Sequence, residues 1–165
     1  MVSTIESDLS SIEVIGLAIV QEVEAYKSYK LMSLQVKNPL VREKFASLAR
    51  EEKAHREMLY NLLKRYTGEE KPPLPKKAPR TSRSFEMNVP MPEIILGAIE
   101  KERQAIKFYR DAAEKSSDPT GKRILLYLAL FEEGHERSLK IEYDSIVSYP
   151  QWFESDAFDT PIVGS

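Results

Sequence analysis

Two copies of a Glu-x-x-His motif lie 80 residues apart in this chain. Glu52 and His55 form the first copy, Glu132 and His135 form the second, and the chain has only these two histidines. Residues three positions apart on a helix project from the same face, with about 5–6 Å between their Cβ atoms. Each motif could therefore bind one metal ion through its imidazole and carboxylate, and the carboxylate could also reach a second ion.

The motif is part of an internal duplication with the same offset. Residues 18–59 and 98–139 are identical at 12 of 42 positions without a gap. Unrelated segments of ordinary composition would agree at roughly one position in sixteen. The matched pairs include Glu22 with Glu102, Ala25 with Ala105, Tyr29 with Tyr109 and Pro39 with Pro119. The duplication therefore repeats a set of four glutamates and two histidines.

This set has the composition of a two-metal carboxylate site. One Glu from each of two helices, with Glu-x-x-His from the other two, is the recurrent ligand arrangement of di-iron and di-manganese bundles. Four ionised glutamates in one core would each carry a desolvation penalty, and two divalent cations would balance their charge. Oxygen-rich ligation suits iron or manganese, and zinc would also bind. The predicted metal ligands are Glu22, Glu52, His55, Glu102, Glu132 and His135.

Two tyrosines have the spacing of residues that support these ligands. Tyr29 and Tyr109 each follow a ligand Glu by seven residues, which is two helical turns. We expect each hydroxyl to hydrogen-bond a carboxylate ligand of a neighbouring helix and so to orient it. The alternative is that both are ordinary core aromatics.

Other residues near the motifs are given simpler interpretations. Gly134 costs about 1 kcal/mol of helix propensity relative to Ala, and a close helix–helix approach or room for a small ligand would explain it. Ala25 and Ala105 would leave space near the metals. The remaining nearby glutamates are interpreted as solvated helix faces; they are Glu24, Glu51, Glu100 and Glu133.

Helical periodicity predicts four long helices, at 10–36, 39–66, 92–116 and 120–147. Ser10 and Glu13 have the capping-box spacing that opens a helix. Asn38-Pro39 and Asp118-Pro119 each combine an N-cap residue with proline at the first helical position. The short connection after the first helix predicts that the first two helices are antiparallel neighbours. The predicted fold is an all-α, ferritin-like four-helix bundle of two antiparallel helix pairs.

The segment 67–91 should be non-helical because it contains five prolines. We interpret it as an extended crossover between helix pairs 10–66 and 92–147, within one domain of residues 1–147. A crossover of this length could also let helix pairs exchange between two chains. The tail 148–165 is predicted to be irregular, with Trp152 packed on the bundle or on a partner.

Composition removes several classes of function. The chain has no cysteine, which excludes disulfides, thiolate metal sites and a thiol nucleophile. A net charge of −2 without a polybasic segment does not suggest nucleic acid as a partner. The N-terminus lacks the features of a signal peptide, and the longest apolar run, 14–20, is too short to span a membrane. We therefore expect a cytoplasmic protein without membrane partners.

The motifs together resemble the rubrerythrin-like branch of the ferritin-like superfamily over about residues 10–147. The resemblance implies a left-handed-crossover four-helix bundle that holds a non-haem di-iron centre and reacts with hydrogen peroxide or dioxygen. It rests on four patterns: Glu22-x-x-Ala25-x-x-x-Tyr29, Leu48-Ala49-x-x-Glu52-x-x-His55, Glu102-x-x-Ala105-x-x-Phe108-Tyr109 and Leu128-Ala129-x-x-Glu132-x-x-His135.

Two departures from rubrerythrins matter for function. Rubrerythrins carry a C-terminal rubredoxin module with four cysteines, which this chain lacks, so electrons must come from a separate donor such as a rubredoxin. They also have an extra carboxylate one turn after the third-helix Glu, where this chain has Ala105. The resemblance then implies a more symmetric site, closer to bacterioferritin-type ferroxidase centres.

Our first hypothesis from the sequence is a dinuclear iron redox protein that reduces hydrogen peroxide or dioxygen. Glu52 and Glu132 would bridge two iron ions, with the other four ligands terminal. The alternatives are an iron-binding ferroxidase or storage protein, and a bundle that uses metal only for stability. We expect a homodimer, with exchange of helix pairs as one arrangement.

Overall fold

The computed structural model describes residues 10–70 and 89–154, and these residues form helices without any β-strand. Four long helices dominate the structure. The helices are α1 (Ser11–Gln35), α2 (Pro39–Thr67), α3 (Met91–Lys115), α4 (Pro119–Ser148) and α5 (Pro150–Glu154). The predicted all-α four-helix bundle is confirmed, and each long helix begins and ends within one residue of its predicted bounds.

The helix ends follow from local side-chain chemistry. At α1, the Ser10 hydroxyl accepts from the Glu13 amide, and the Glu13 carboxylate accepts from the Ser10 amide at 2.8 Å, which completes the predicted capping box. At α2, Asn38 Oδ1 accepts from the first free amides of the helix. At α4, Asp118 Oδ2 accepts from the Gly121 amide at 2.7 Å. Such caps satisfy amides that have no partner within the helix.

The four long helices pack as two pairs that meet around the centre of the bundle. The most extensive contacts are between α1 and α2 and between α3 and α4, while α1 touches α3 and α2 touches α4. Apolar side chains from all four helices form two separate buried clusters, one toward each end of the bundle. The start of α1 and the end of α3 contribute to the same cluster, so these two helices run in opposite directions. The space between the clusters is where the polar ligand candidates lie.

The segments outside the four long helices agree less closely with the sequence interpretation. Residues 150–154 form the short helix α5 where an irregular tail was predicted, and Trp152 is 59% exposed in the single chain, so its packing on a partner stays a prediction. The rest of the tail and the crossover residues 71–88 lie outside the described residues. Within the described ranges, no helix is long and apolar enough to cross a bilayer.

Candidate metal centre

Six ionisable side chains meet in the middle of the bundle, between the two apolar clusters. They are the predicted ligands Glu22, Glu52, His55, Glu102, Glu132 and His135, and each is at most 6% exposed. Each long helix contributes at a central turn, where its regular backbone hydrogen bonds fix the direction of the side chain. Charged residues are almost never buried this fully unless they are paired or bind a metal.

The six side chains form two overlapping groups with the geometry of metal ligands. One group contains Glu22, His55 and the two motif glutamates, and the other contains Glu102, His135 and the same two glutamates. Within each group, one ligand atom per residue lies within 4.8 Å of every other. Glu52 and Glu132 belong to both groups, so they occupy the positions from which a carboxylate can bridge two ions.

The imidazoles direct the same ring atom toward this centre. His55 Nδ1 lies 3.2 Å from Glu22 Oε2 and 3.4 Å from Glu52 Oε2. His135 Nδ1 lies 3.0 Å from Glu132 Oε2 and 3.3 Å from Glu52 Oε1. The Nε2 atoms therefore point away from the centre, and each Nδ1 is the atom that could bind a metal.

The two tyrosines make crossed hydrogen bonds to the terminal carboxylates. Tyr29 on α1 donates its hydroxyl to Glu102 on α3, and Tyr109 on α3 donates to Glu22 on α1. Both rings are at most 2% exposed. These are the contacts that the seven-residue spacing predicts, and they fix one oxygen of each terminal carboxylate while its second oxygen remains available.

Three carboxylate oxygens at the centre have no hydrogen-bond partner among the described residues, namely both oxygens of Glu52 and Oε1 of Glu132. The Glu52 oxygens lie at ion-pair distance from the imidazoles, without the alignment of a hydrogen bond. Buried acceptors of this kind normally have a partner. Divalent cations would supply it, so the residues present fit a dinuclear metal group with an oxygen-rich donor set.

Burial and neighbouring charges favour bound protons at four of these six side chains in the metal-free protein. Burial raises the pKa of Glu22 and Glu102 well above the usual value, and repulsion from neighbouring carboxylates adds to the effect. Burial alone would lower the histidine pKa values, but contacts with the glutamates outweigh it and raise the pKa of His55 to about 10 and of His135 to about 12. Metal binding must therefore displace protons from these residues.

Glu52 differs from Glu22 and Glu102 in the direction of its pKa shift. Burial acts to raise its pKa, but the contacts with His135 and His55 outweigh it and lower the pKa to about 2. One of the two carboxylates that both metal groups share is thus ionised in the metal-free protein. The bridging position is consequently prepared for cations before they bind.

The structure adds detail to two interpretations of residues beside the ligands. Glu51 lies on an exposed face as predicted, with its side chain 46% exposed, and its Oε2 also lies 3.1 Å from His135 Nε2. Comparison of the two halves could not reveal this contact, since residue 131, which corresponds to Glu51, is Phe. Gly134 does not mark a close helix–helix approach, because a Cβ atom at this position would have no neighbour within 4 Å. The other interpretation, room for a small ligand, stays a prediction.

A small cavity reaches the centre between α1 and α3. It measures about 50 Å³, and its walls include Glu22, Glu102 and Glu132 together with Ala25 and Ala105. The two alanines occupy matched positions of the duplication and leave the space that the sequence predicts. At the same cleft, Lys101 Nζ donates to Ser28 Oγ at 3.1 Å, which joins α3 to α1. The cavity has room for molecules only slightly larger than water.

A protein-family model described as Rubrerythrin matches residues 13–143. The chain belongs to the rubrerythrin family. Within the described residues it has the family's bundle, and its sequence, without cysteine, contains no rubredoxin module. No curated protein sequence matches it significantly.

Solved structures with the same fold include a bacterioferritin and a ferritin-like diiron-carboxylate protein. A hypothetical protein from Pyrococcus furiosus is 30% identical, with a TM-score of 0.72 over 87% of this chain and 94% of that one. Rhodobacter capsulatus bacterioferritin, whose structure has a metal-free dinuclear site, is 22% identical, with a TM-score of 0.71 over 94% and 96% of the two chains. A ferritin-like diiron-carboxylate protein from Thermotoga maritima is 16% identical, with a TM-score of 0.63 over 82% and 95%. At these lower identities the likeness concerns the fold.

Proposed function

We propose that this rubrerythrin-family protein is a dinuclear non-haem iron protein that reduces hydrogen peroxide or dioxygen with electrons from a separate donor. The observation that carries the proposal is the pair of buried ligand groups that share Glu52 and Glu132. When bound, two Fe(II) ions supply the two electrons that convert hydrogen peroxide and two protons into two water molecules.

The protein's own contribution is to hold the ligands and to restrict access. Glu52 and Glu132 would bridge the ions, while one imidazole and one carboxylate would complete each side. The crossed tyrosine hydrogen bonds keep the terminal carboxylates in place without the metal. The two apolar clusters seal the centre along the bundle axis, and the cavity of about 50 Å³ admits only small oxidants from the α1–α3 side.

The second candidate is a ferroxidase that oxidises iron in order to load it. Ala105 lines the cavity at the position where the resemblance to rubrerythrins implies an additional carboxylate. The ligand set is therefore symmetric, with three carboxylates and one imidazole in each group. A storage role would also require a closed shell of many subunits, whereas the redox proposal is compatible with the homodimer expected from the sequence.

Anaerobic loading with Fe(II) followed by hydrogen peroxide tests the proposal. We expect two irons per chain, rapid growth of a near-UV charge-transfer band after one equivalent of peroxide, and repeated turnover when a reduced rubredoxin is supplied. The Zn(II)-loaded protein is the matched control because it fills the same ligands without redox chemistry. Binding of two irons without peroxide-dependent oxidation would contradict the redox proposal. A single oxidation without turnover, in a 24-subunit assembly by native mass, would support the ferroxidase instead.

A further inference from the structure

The two buried histidines have different residues behind them, on the side away from the carboxylates. His135 Nε2 lies 3.1 Å from Glu51 Oε2. The ring of His55 instead meets the ring of Phe131 edge to face, with centroids 4.8 Å apart and an interplanar angle of 76°. One imidazole therefore has a carboxylate behind it, and the other has an aromatic ring.

This difference continues one further turn along each helix. Ser47 Oγ donates to Glu51 Oε1 at 3.3 Å, so the polar contact to His135 is itself supported from α2. On α4, Tyr127 packs against Phe131 with centroids 4.6 Å apart. Under the 80-residue offset, Ser47 corresponds to Tyr127 and Glu51 to Phe131. The duplication thus repeats the ligands. Outside them, the polar pair Ser47 and Glu51 of the first half corresponds to the aromatic pair Tyr127 and Phe131 of the second half.

A carboxylate behind an imidazole changes how that imidazole binds a cation. When Glu51 accepts the Nε2 proton of neutral His135, it fixes the tautomer in which Nδ1 has a free lone pair, and it raises the basicity of that atom. Phe131 cannot accept a hydrogen bond, so it holds the His55 ring by packing alone. The Nδ1 atoms of the two imidazoles face the centre in a similar way. Within the described residues, only His135 has a carboxylate at its Nε2 atom that fixes the tautomer suited to metal binding.

We propose that Glu51 is a positioning residue that makes the two metal positions unequal. The position formed by Glu52, Glu102, Glu132 and His135 then binds its divalent cation more tightly, and fills before the position that contains His55. This inference rests on the proposed function only in requiring two bound cations, and it does not depend on redox activity.

Titration of the metal-free protein with Zn(II), followed by calorimetry, tests the inference. We expect two resolved binding steps in the wild-type protein. Glu51→Ala should weaken the tighter step by about 10- to 100-fold, the usual effect of losing the hydrogen-bond partner of a metal-binding histidine. Glu51→Gln keeps an acceptor for the Nε2 proton and should recover most of the affinity. Phe131→Leu, the matched change on the other side, should leave the tighter step unchanged.

Single-site backgrounds assign the effect to one position. In His55→Ala the remaining tight step should still respond to Glu51→Ala, whereas in His135→Ala the same substitution should have no effect. Equal responses in both backgrounds, or two unchanged steps in Glu51→Ala, would overturn the inference. These outcomes would leave the proposed function intact. Failure of the wild-type protein to bind two cations would instead contradict the dinuclear centre itself.

Discussion

The α1–α2 pair and the α3–α4 pair are two versions of one unit. Their side chains match at the centre of the bundle and differ farther from it. Facing the centre, both pairs present one Glu, one Glu-x-x-His motif and one Tyr. Matched positions lie at opposite ends of the bundle, because Tyr29 belongs to one apolar cluster and Tyr109 to the other. A two-fold relation through the centre therefore exchanges the pairs, and it requires agreement only where both halves contribute to the same ligand set.

Outside the ligands the two pairs diverge, and this divergence gives the halves separate properties. Glu51 and Phe131 differ in polarity behind the histidines, and Ala54 and Gly134 differ in helix propensity within the motif. The comparison shows that a duplicated site can be symmetric in its donor atoms and asymmetric in their surroundings. Substitutions at matched positions show how far the equivalence of the two halves extends.

The largest loss of metal binding should follow substitution of either shared carboxylate, Glu52 or Glu132. Glu52→Ala removes a ligand that both metal groups use, so dinuclear binding should be lost, and Glu132→Ala should do the same because the two residues are equivalent. The measurement is metal per chain after loading and desalting. Glu100→Ala, at an exposed position on α3, should retain two ions. Retention of two ions by Glu52→Ala would contradict the ligand assignment.

The metal-free protein should lose stability as pH rises, because both histidines bind protons more tightly when folded. Their pKa values rise from 6.5 to about 10 for His55 and about 12 for His135, so their contribution is complete below pH 6.5. It is lost as pH rises through those folded values. Thermal unfolding of metal-free protein should therefore show a falling midpoint between about pH 6.5 and about pH 10.

Metal should reverse this trend. Ligands must lose protons before they bind a cation, so the rise in melting temperature caused by Zn(II) should grow over the same pH range. A metal-free midpoint that rises with pH would show that protons do not stabilise the centre.

The hydrogen bonds of Tyr29 and Tyr109 should contribute equally to the free energy of unfolding if the two-fold relation includes these two residues. Tyr29→Phe and Tyr109→Phe each leave a buried carboxylate oxygen without its donor, at a cost of about 1–3 kcal/mol in the free energy of unfolding. Denaturant unfolding of the two variants measures both losses. A loss of stability in one variant without a loss in the other would show that the halves already diverge at the tyrosines.

The smallest effect concerns the residue immediately before each histidine, which is Ala54 on α2 and Gly134 on α4. Gly134→Ala should stabilise α4 by about 1 kcal/mol, since helix propensity improves and the new methyl group would meet no atom within 4 Å. Ala54→Gly should destabilise α2 by a similar amount, because Ala54 is exposed and loses little packing. Denaturant midpoints measure both. Loss of stability in Gly134→Ala would contradict this expectation and show that the methyl group is not accommodated at this position.

Much of the fold and the centre could be predicted from the sequence, because the internal duplication repeats the residues that form the site. Capping residues, helical spacing and the matched ligands all repeat or follow local rules, so α1 to α4 and the clustering of six ligands could be inferred. Glu51 could not, because its role depends on a contact between α2 and α4 that the other half does not contain. The surroundings of Trp152 could not be inferred either, because no local pattern shows that α5 leaves it exposed in the single chain.

The protons on the central residues also bear on the order of folding and metal binding. A core containing four bare carboxylates would need its cations during folding, and the chain would have to find two ions while still open. Here the raised pKa values of His55 and His135 favour imidazolium groups that act as counter-ions, and those of Glu22 and Glu102 favour neutral carboxyl groups, so less negative charge would be buried if the helices assembled before metal arrives. Maturation then becomes an exchange reaction on a finished scaffold, in which arriving ions acidify their surroundings as they enter.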